Sequence, residues 1–372
     1  MKQVAVLATL LAISMVGSYI VWTDDSPDVT TTGDEVMVYS ANPADVTTLA
    51  WKSETVDIVL ERKSDTKGEY TWVTTTERKE KKAKKPPKSH GEEGEEGEEG
   101  VPEGIEAPTD DVPPGDGAEP GAEGAEGEEP EADEPAEVIV TTMSFRGNKQ
   151  AEEMWDSFAP LMALRELKPE DATQEFFGFD EPDGTVEVTR KGQLQSIIVG
   201  GETFGGRDKY VKTGDRIFLL DDQAIRPLQF GKTRLLERNL QPLGEPETAS
   251  VTITSPAGEK TFVQQNRDDR AQAKWTTQED PETEHTVGTW LGKVYKMRAK
   301  TYVLEADIEG TLEVAFTYEL KGDTESWPVQ ILKDDKTPAN YYAKPTYLRG
   351  VVELTRSLAS DAVEDLEQIM AD

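Results

Sequence analysis

The sequence predicts an α+β chain: an N-terminal transmembrane helix, then two tandem β-rich repeats with packed helices, interrupted by a disordered charged insert. Three observations carry this expectation. Residues Val4–Trp22 are uncharged, alternating apolar segments recur in one order in both halves, and Arg78–Glu137 has almost no large apolar side chains.

The uncharged run VAVLATLLAISMVGSYIVW is 19 residues long. A helix of about 20 residues, rising 1.5 Å each, crosses a hydrocarbon core of about 30 Å. Lys2 precedes the run and Asp24 and Asp25 follow it. The positive-inside bias then places residue 1 in the cytoplasm and the bulk of the chain in the periplasm. The expected localisation is the bacterial inner membrane, single-pass, with 1–22 as the anchor and 23–44 as a linker. A cleaved signal peptide is the alternative; it would have a short n-region and no A-x-A site. The sequence has no Cys, which excludes a lipoprotein anchor, disulfides, thiolate zinc sites, iron–sulfur clusters and a Cys nucleophile. The net charge of -34 excludes a nucleic-acid surface, which needs clustered positive charge.

The first repeat is expected over 45–244 and the second over 245–372. In the first, Trp51 leads into VDIVLER (56–62) and then YTWV (70–73), which read as a hairpin. Residues 77–136 are expected to be disordered. Arg78–Lys88 holds seven basic residues and one acidic; Gly91–Glu137 holds twenty acidic and none basic. Such a stretch buries too little to offset about 1–2 kcal/mol of backbone ordering per residue. A solvated spacer is the plain reading; loose contact of the Lys-rich block with anionic lipid, or of the Glu-rich block with Ca²⁺, are the sharper ones.

A strand resumes at VIVTTM (138–143). Ala151, Met154, Trp155, Phe158, Leu161 and Met162 then line one helical face, with Asn148 as N-cap and Pro160 expected to kink or split the helix. The strands GTVEV (184–188), SIIVGG (196–201), KYVK (209–212) and RIFLL (216–220) follow, with a short helix near Asp222–Leu228. The second half runs ASVTITS, KTFVQQ and AKWTT, a helix stripe of Val287, Trp290, Leu291, Val294 and Tyr295, then GTLEV, PVQIL, NYYAK and GVVELT. A closing helix is expected from about Ser360 to Met370. GTVEV and GTLEV match almost letter for letter, which points to duplication.

The segments LAWKSETVDIVLER, FFGFDEPDGTVEV, SIIVGG, DKYVKTGDRIFLLDD and LLERNLQPL resemble those of the domain-of-unknown-function family 4340. The resemblance covers roughly 45–345 outside the insert. It implies a membrane-anchored, extracytoplasmic β-rich module, often encoded beside ABC transporter or gliding-motility genes. It implies no catalytic residues.

No chemistry-bearing constellation emerges beside it. GGETFGG (200–206) lacks the Lys and hydroxyl of a phosphate loop and reads as a strand turn. Asp221 and Asp222 read as helix-capping residues rather than paired catalytic carboxylates, with Ser360 and Asp361 in the equivalent place. His285 reads as a surface or cap residue, and His90 lies in the insert. Trp51, Trp72, Trp155, Trp275 and Trp290 read as core, and Trp327 as the Trp most exposed. The expectation is therefore no catalytic, cofactor or metal site, and a non-enzymatic periplasmic accessory or scaffold subunit. Its expected partners are the membrane and an ABC transporter permease or ATPase, or envelope motility proteins, without nucleic acid. A periplasmic ligand-binding module for glycan or peptide is the alternative.

Overall fold

The computed structural model describes residues 35–80, 138–168 and 173–371. Two compact units are present: the described residues up to Arg78 and from Thr141 onward, and the described part of Lys79–Val140. The architecture is that of the first unit.

The chain begins with strand β1 (Val36–Tyr39), a 3-10 turn (Pro43–Asp45), and the strands β2 (Val46–Lys52), β3 (Val56–Asp65), β4 (Gly68–Glu80) and β5 (Val138–Arg146). Helix α1 (Lys149–Ser157) and the short strands β6 (Leu161–Ala163) and β7 (Arg165–Leu167) follow. A meander of β8 (Gly184–Arg190), β9 (Gln193–Glu202), β10 (Asp208–Thr213) and β11 (Arg216–Asp221) then leads into helices α2 (Asp222–Gln229) and α3 (Gly231–Arg234). The second half contains β12 (Ser250–Ser255), β13 (Gly258–Gln265), β14 (Lys274–Thr277), helix α4 (Val287–Val294) and β15 (Ala299–Val303). It ends with β16 (Glu313–Lys321), β17 (Ser326–Lys333), β18 (Tyr341–Pro345), β19 (Val351–Leu354) and helix α5 (Arg356–Ala371).

These strands form three antiparallel sheets. β1 pairs with β6; a nine-stranded sheet runs β5-β4-β3-β2-β8-β9-β10-β11-β7; an eight-stranded sheet runs β14-β13-β12-β16-β17-β18-β19-β15. Set β12 against β2, and every strand of the smaller sheet has a counterpart at the same place in the larger one. Only β5 is extra. In both sheets one strand pairs across a jump in sequence, β2 with β8 and β12 with β16.

The expected α+β class with an N-terminal transmembrane helix gives way to a mainly β fold. Four of the five α-helices among the described residues have nine residues or fewer. The apolar stripe from 151 to 162 does not become one helix. α1 ends at Ser157, Ala159–Pro160 is a cis peptide, and the chain turns back into β6 to pair with β1. No helix among the described residues is long and apolar enough to cross a membrane. The expected span at 4–22 lies outside the described residues. The single-pass inner-membrane location, and with it the placement of the bulk of the chain in the periplasm, is withdrawn on that finding. The expected linker 23–44 contains β1 and the start of the 3-10 turn, and β4 runs on to Glu80, past the expected start of the insert at 77. Residues 81–137 lie outside the described residues.

Both large sheets bury their apolar faces in one contiguous core. The segment 235–243 holds it together. Leu235, Leu236 and Leu240 are buried in it. On one side, Asn148 N–H donates to Leu235 C=O (2.9 Å) and Glu237 N–H to Arg146 C=O (3.0 Å), extending the β5 edge. On the other, Ala299 N–H donates to Arg238 C=O (2.8 Å), and the Arg238 guanidinium donates to Ala299 C=O (3.2 Å), covering the β15 edge. Each contact sits at one end of its strand, at Arg146 of β5 and Ala299 of β15, so the segment ties the two strand ends together.

A second junction forms at the β3–β4 hairpin tip. Arg349 donates to both carboxylate oxygens of Asp65, at 2.5 and 3.0 Å, and its guanidinium lies 3.8 Å from the Tyr70 ring centre. Arg146 sits 4.0 Å over Tyr347, Tyr347 meets Trp327 edge-on at 5.5 Å, and Lys67 lies 5.1 Å over Trp327. Cations thus alternate with aromatic rings across the contact. Arg349 has φ +58°, a conformation that costs an L-residue about 1–2 kcal/mol. The bidentate pair holds it there.

Leu240→Ala is expected to lower the unfolding free energy by about 2–5 kcal/mol. The check is the urea midpoint, with one transition retained because Leu240 belongs to the shared core. A second outcome concerns pH. The Arg349 hydrogen bond pushes the Asp65 pKa down to about 2. A carboxylate with a depressed folded pKa stabilises the fold above its unfolded pKa of about 4, and that contribution fades as pH falls towards 2. Urea unfolding between these two values should show this slope in the parent chain and a shallower one in Asp65→Asn.

Candidate functional site

The most elaborated surface site of the described residues lies at one end of the nine-stranded sheet. Its wall begins with the loop Thr173–Asp183, which docks on β9 and β10 through aromatic contacts. Phe177 is buried and meets Tyr210 edge-on at 5.1 Å, while Phe179 lies 5.8 Å from Phe177. Gly201 N–H donates to Phe177 C=O at 2.9 Å. Gly200 permits that approach, because a Cβ there would fall 2.1 Å from the Phe177 carbonyl oxygen. The paired glycines of SIIVGG and the aromatics of FFGF therefore make one contact.

The same loop delivers Asp183 to Lys209. The Lys209 ammonium, on a side chain only 5% exposed, contacts Asp183 at 2.6 Å and Glu202 at 2.9 Å. Burial pulls its pKa down, but the two carboxylates outweigh burial and hold it above the ordinary lysine value. The Lys209 hydrogen bond in turn holds the Glu202 carboxyl below the ordinary range. Asp208, next along the chain, is raised by burial and then by the charge of Asp221. The cavity over this cluster is about 430 Å³, with Trp51, Val56, Asp222, Arg226 and Phe230 among its walls.

The residues singled out in the sequence now have places. GGETFGG is the β9–β10 turn, with Gly205 and Gly206 at positive φ and Phe204 fully exposed at its tip. Asp221 caps α2, accepting from Gln223 N–H at 2.8 Å, and Asp222 is buried 3.7 Å from Arg226. The two are therefore divided between a cap and an ion pair. Ser360 and Asp361 are not a cap: both lie inside α5, where the Ser360 hydroxyl bonds Glu364 at 3.1 Å. His285 is half-buried against the Phe262 ring, and its Nδ1 accepts from Val287 N–H at 3.0 Å. Asn148 caps α1 through a 3.1 Å bond from Ala151 N–H. Trp51, Trp155, Trp275 and Trp290 are in the core, while Trp72 is half-buried. Trp327, expected to be exposed, is 4% exposed beneath Tyr347 and Lys67.

Lys209 was not legible as a site residue. KYVK reads as an ordinary edge of alternating polar and apolar residues, and only the docked loop turns Lys209 into a buried cation. Among the described residues, no group of three His, Asp or Glu is placed to hold a metal ion.

Gly200→Ala is expected to destabilise the protein by about 1–3 kcal/mol, because the docked loop must shift. Gly292→Ala is the control: it lies inside α4 with no atom within 4 Å of the added carbon, and should stabilise by about 0.5–1 kcal/mol. Denaturant midpoints of both variants check the pair.

Residues 146–315 match the family model described as Domain of unknown function (DUF4340), the family that the sequence resembles. The match is narrower than the resemblance read from the sequence: it takes in the docked loop, Lys209 and the 235–243 segment, but not β2, β3 or β4. No curated protein and no solved structure matches the chain.

Proposed function

We propose that this chain is a non-enzymatic accessory or scaffold subunit that works by docking a protein partner. One observation carries the reading: around the Lys209 cavity the ionic groups are spent on each other while aromatic side chains face solvent. Lys209 is held by Asp183 and Glu202. Phe204 is fully exposed on the turn that supplies Glu202 and Gly206 to the cavity wall, and Phe230, 52% exposed, lines the same cavity. Exposed aromatics beside a polar rim are the side chains that anchor protein interfaces. The family resemblance directs attention to an ABC-type transporter or an envelope motility machine as the partner class.

The glycan or peptide ligand reading has less support. It asks for an exposed Trp327 in a cleft between the halves, and that ring is covered.

The test is crosslinking of the tagged chain in its native cells, with mass spectrometry of what is recovered. A Phe204→Asp, Phe230→Asp double variant should lose about tenfold or more of the specific partner while its melting temperature stays within a few degrees. Equal recovery with parent and variant would remove this surface from the proposal. Recovery of glycan fragments in place of protein would favour the ligand module.

A further inference from the structure

One buried lysine faces two different carboxylates, and three neighbouring strands of the nine-stranded sheet bring them together. Lys209 lies near the start of β10, directly opposite Glu202 on β9. Asp183 immediately precedes β8, the strand on the other side of β9. Gly184 fixes its place, because a Cβ there would fall 2.5 Å from the Trp51 indole and 2.6 Å from the Lys52 carbonyl oxygen. The lysine side chain is nearly sealed from solvent, and the buried Trp51 lies in the wall of the same cavity. Other lysines that meet carboxylates, such as Lys293 with Asp365 and Lys344 with Glu305, do so on side chains a third to a half exposed.

An ammonium and a carboxylate differ from an amide by one water. Condensation needs the amine nitrogen beside the carboxyl carbon, a carrier for its protons, and little water around the nitrogen. Lys209 Nζ is 2.6 Å from Asp183 Oδ2. A nitrogen hydrogen-bonded to a carboxylate oxygen stands about 3–3.5 Å from its carbon, the separation of a near-attack pair. Well-oriented groups at that separation react as if at about 10⁵–10⁸ M. Glu202 Oε1, 2.9 Å from the same nitrogen, is within reach to take and return protons. Both carboxylates reach Lys209 from the exposed side, which leaves the released water a way out. Burial, the largest influence on Lys209, favours the neutral amine, and the charge of the two carboxylates opposes it. The step therefore runs through a minor neutral pair, reached by passing one proton along the Lys209–Asp183 hydrogen bond, and is slow compared with folding.

The geometry points to an amide bond between Lys209 Nζ and Asp183 Cγ, formed by the folded chain itself with Glu202 as proton carrier. The nitrogen lone pair attacks Cγ; the new N–C bond forms and one C–O bond breaks. Glu202 takes a proton from the nitrogen and passes it to the departing oxygen. Of the three protons of the ammonium, one stays on the amide and two leave with the oxygen as water. One positive and one negative charge disappear together, nothing is oxidised or reduced, and Glu202 ends ionised as it began. The link ties the start of β8 to β10 across β9 and pins the end of the docked loop. It involves no partner, so it stands or falls independently of the docking reading.

The full chain, kept folded at neutral pH, is tested by intact mass and by peptide mapping after denaturation and proteolysis. The parent should weigh one water less than its sequence and yield a branched peptide joining Lys209 to Asp183. Asp183→Ala and Lys209→Met should carry the full mass of their sequences. Glu202 is exposed, so Glu202→Gln keeps the fold, and it should condense about 10²–10⁴ times more slowly. Recovery of Lys209 and Asp183 wholly in separate peptides would show an ion pair only and overturn the proposal. Linkage in Glu202→Gln at the parent's rate would overturn it as well. Asp183–Gly184 is also a sequence that loses water as a cyclic imide; a water loss that leaves Lys209 in an ordinary peptide would assign the change to that imide and overturn the cross-link.

Discussion

The structure depends on one short segment, Leu235–Leu243, that serves two sheets at once. A strand edge carries N–H and C=O groups that must find partners when buried. Arg146, at the end of β5, finds one in Glu237, the nearby Asn148 bonds Leu235, and Ala299 of β15 finds one in Arg238. The leucines of the same segment fill the space beneath. A polar strip and an apolar wedge are thus supplied by one short sequence. Glu237 shows how the polar part is satisfied: its carboxylate accepts from Asn239 N–H at 2.8 Å and from the Tyr347 hydroxyl at 3.4 Å.

The hairpin junction adds orientation. Asp65, Tyr70, Arg146, Arg349, Tyr347, Trp327 and Lys67 form an alternating series of charges and rings. Guanidinium groups stack on aromatic faces while keeping their edges free for carboxylates and carbonyls, which a lysine could not do as well. The contact uses apolar area and charge together. It also explains the burial of Trp327, which sits under two neighbours far away in sequence.

The same economy appears at the Lys209 cavity. The loop 173–183 uses its aromatics to dock and its last acidic residue to meet a buried cation. What the fold leaves exposed beside it is aromatic: Phe204 and Phe230.

Much of the strand plan was legible because alternation is a local property. VDIVLER, GTVEV, PVQIL and NYYAK each declare a half-buried strand; β3, β8 and β17 include the first three, and β18 takes in all of the fourth but Asn340. Caps were equally legible at Asn148 and Asp221, since a cap needs only the next two or three residues. The helices were overread, because an apolar stripe of period 3.6 does not show where the chain must turn back, and the turn at Ala159–Pro160 serves a partner, β1, more than a hundred residues earlier. Trp327, expected to be exposed, is buried for the same reason, and the burial of Lys209 left no local signal. By itself the sequence determined which residues alternate, which cap and which segments carry charge, all of them interactions between near neighbours. Only the tertiary structure decided which edges are closed, which cation is buried and which aromatics stay exposed, because each of those depends on a residue that is distant along the chain.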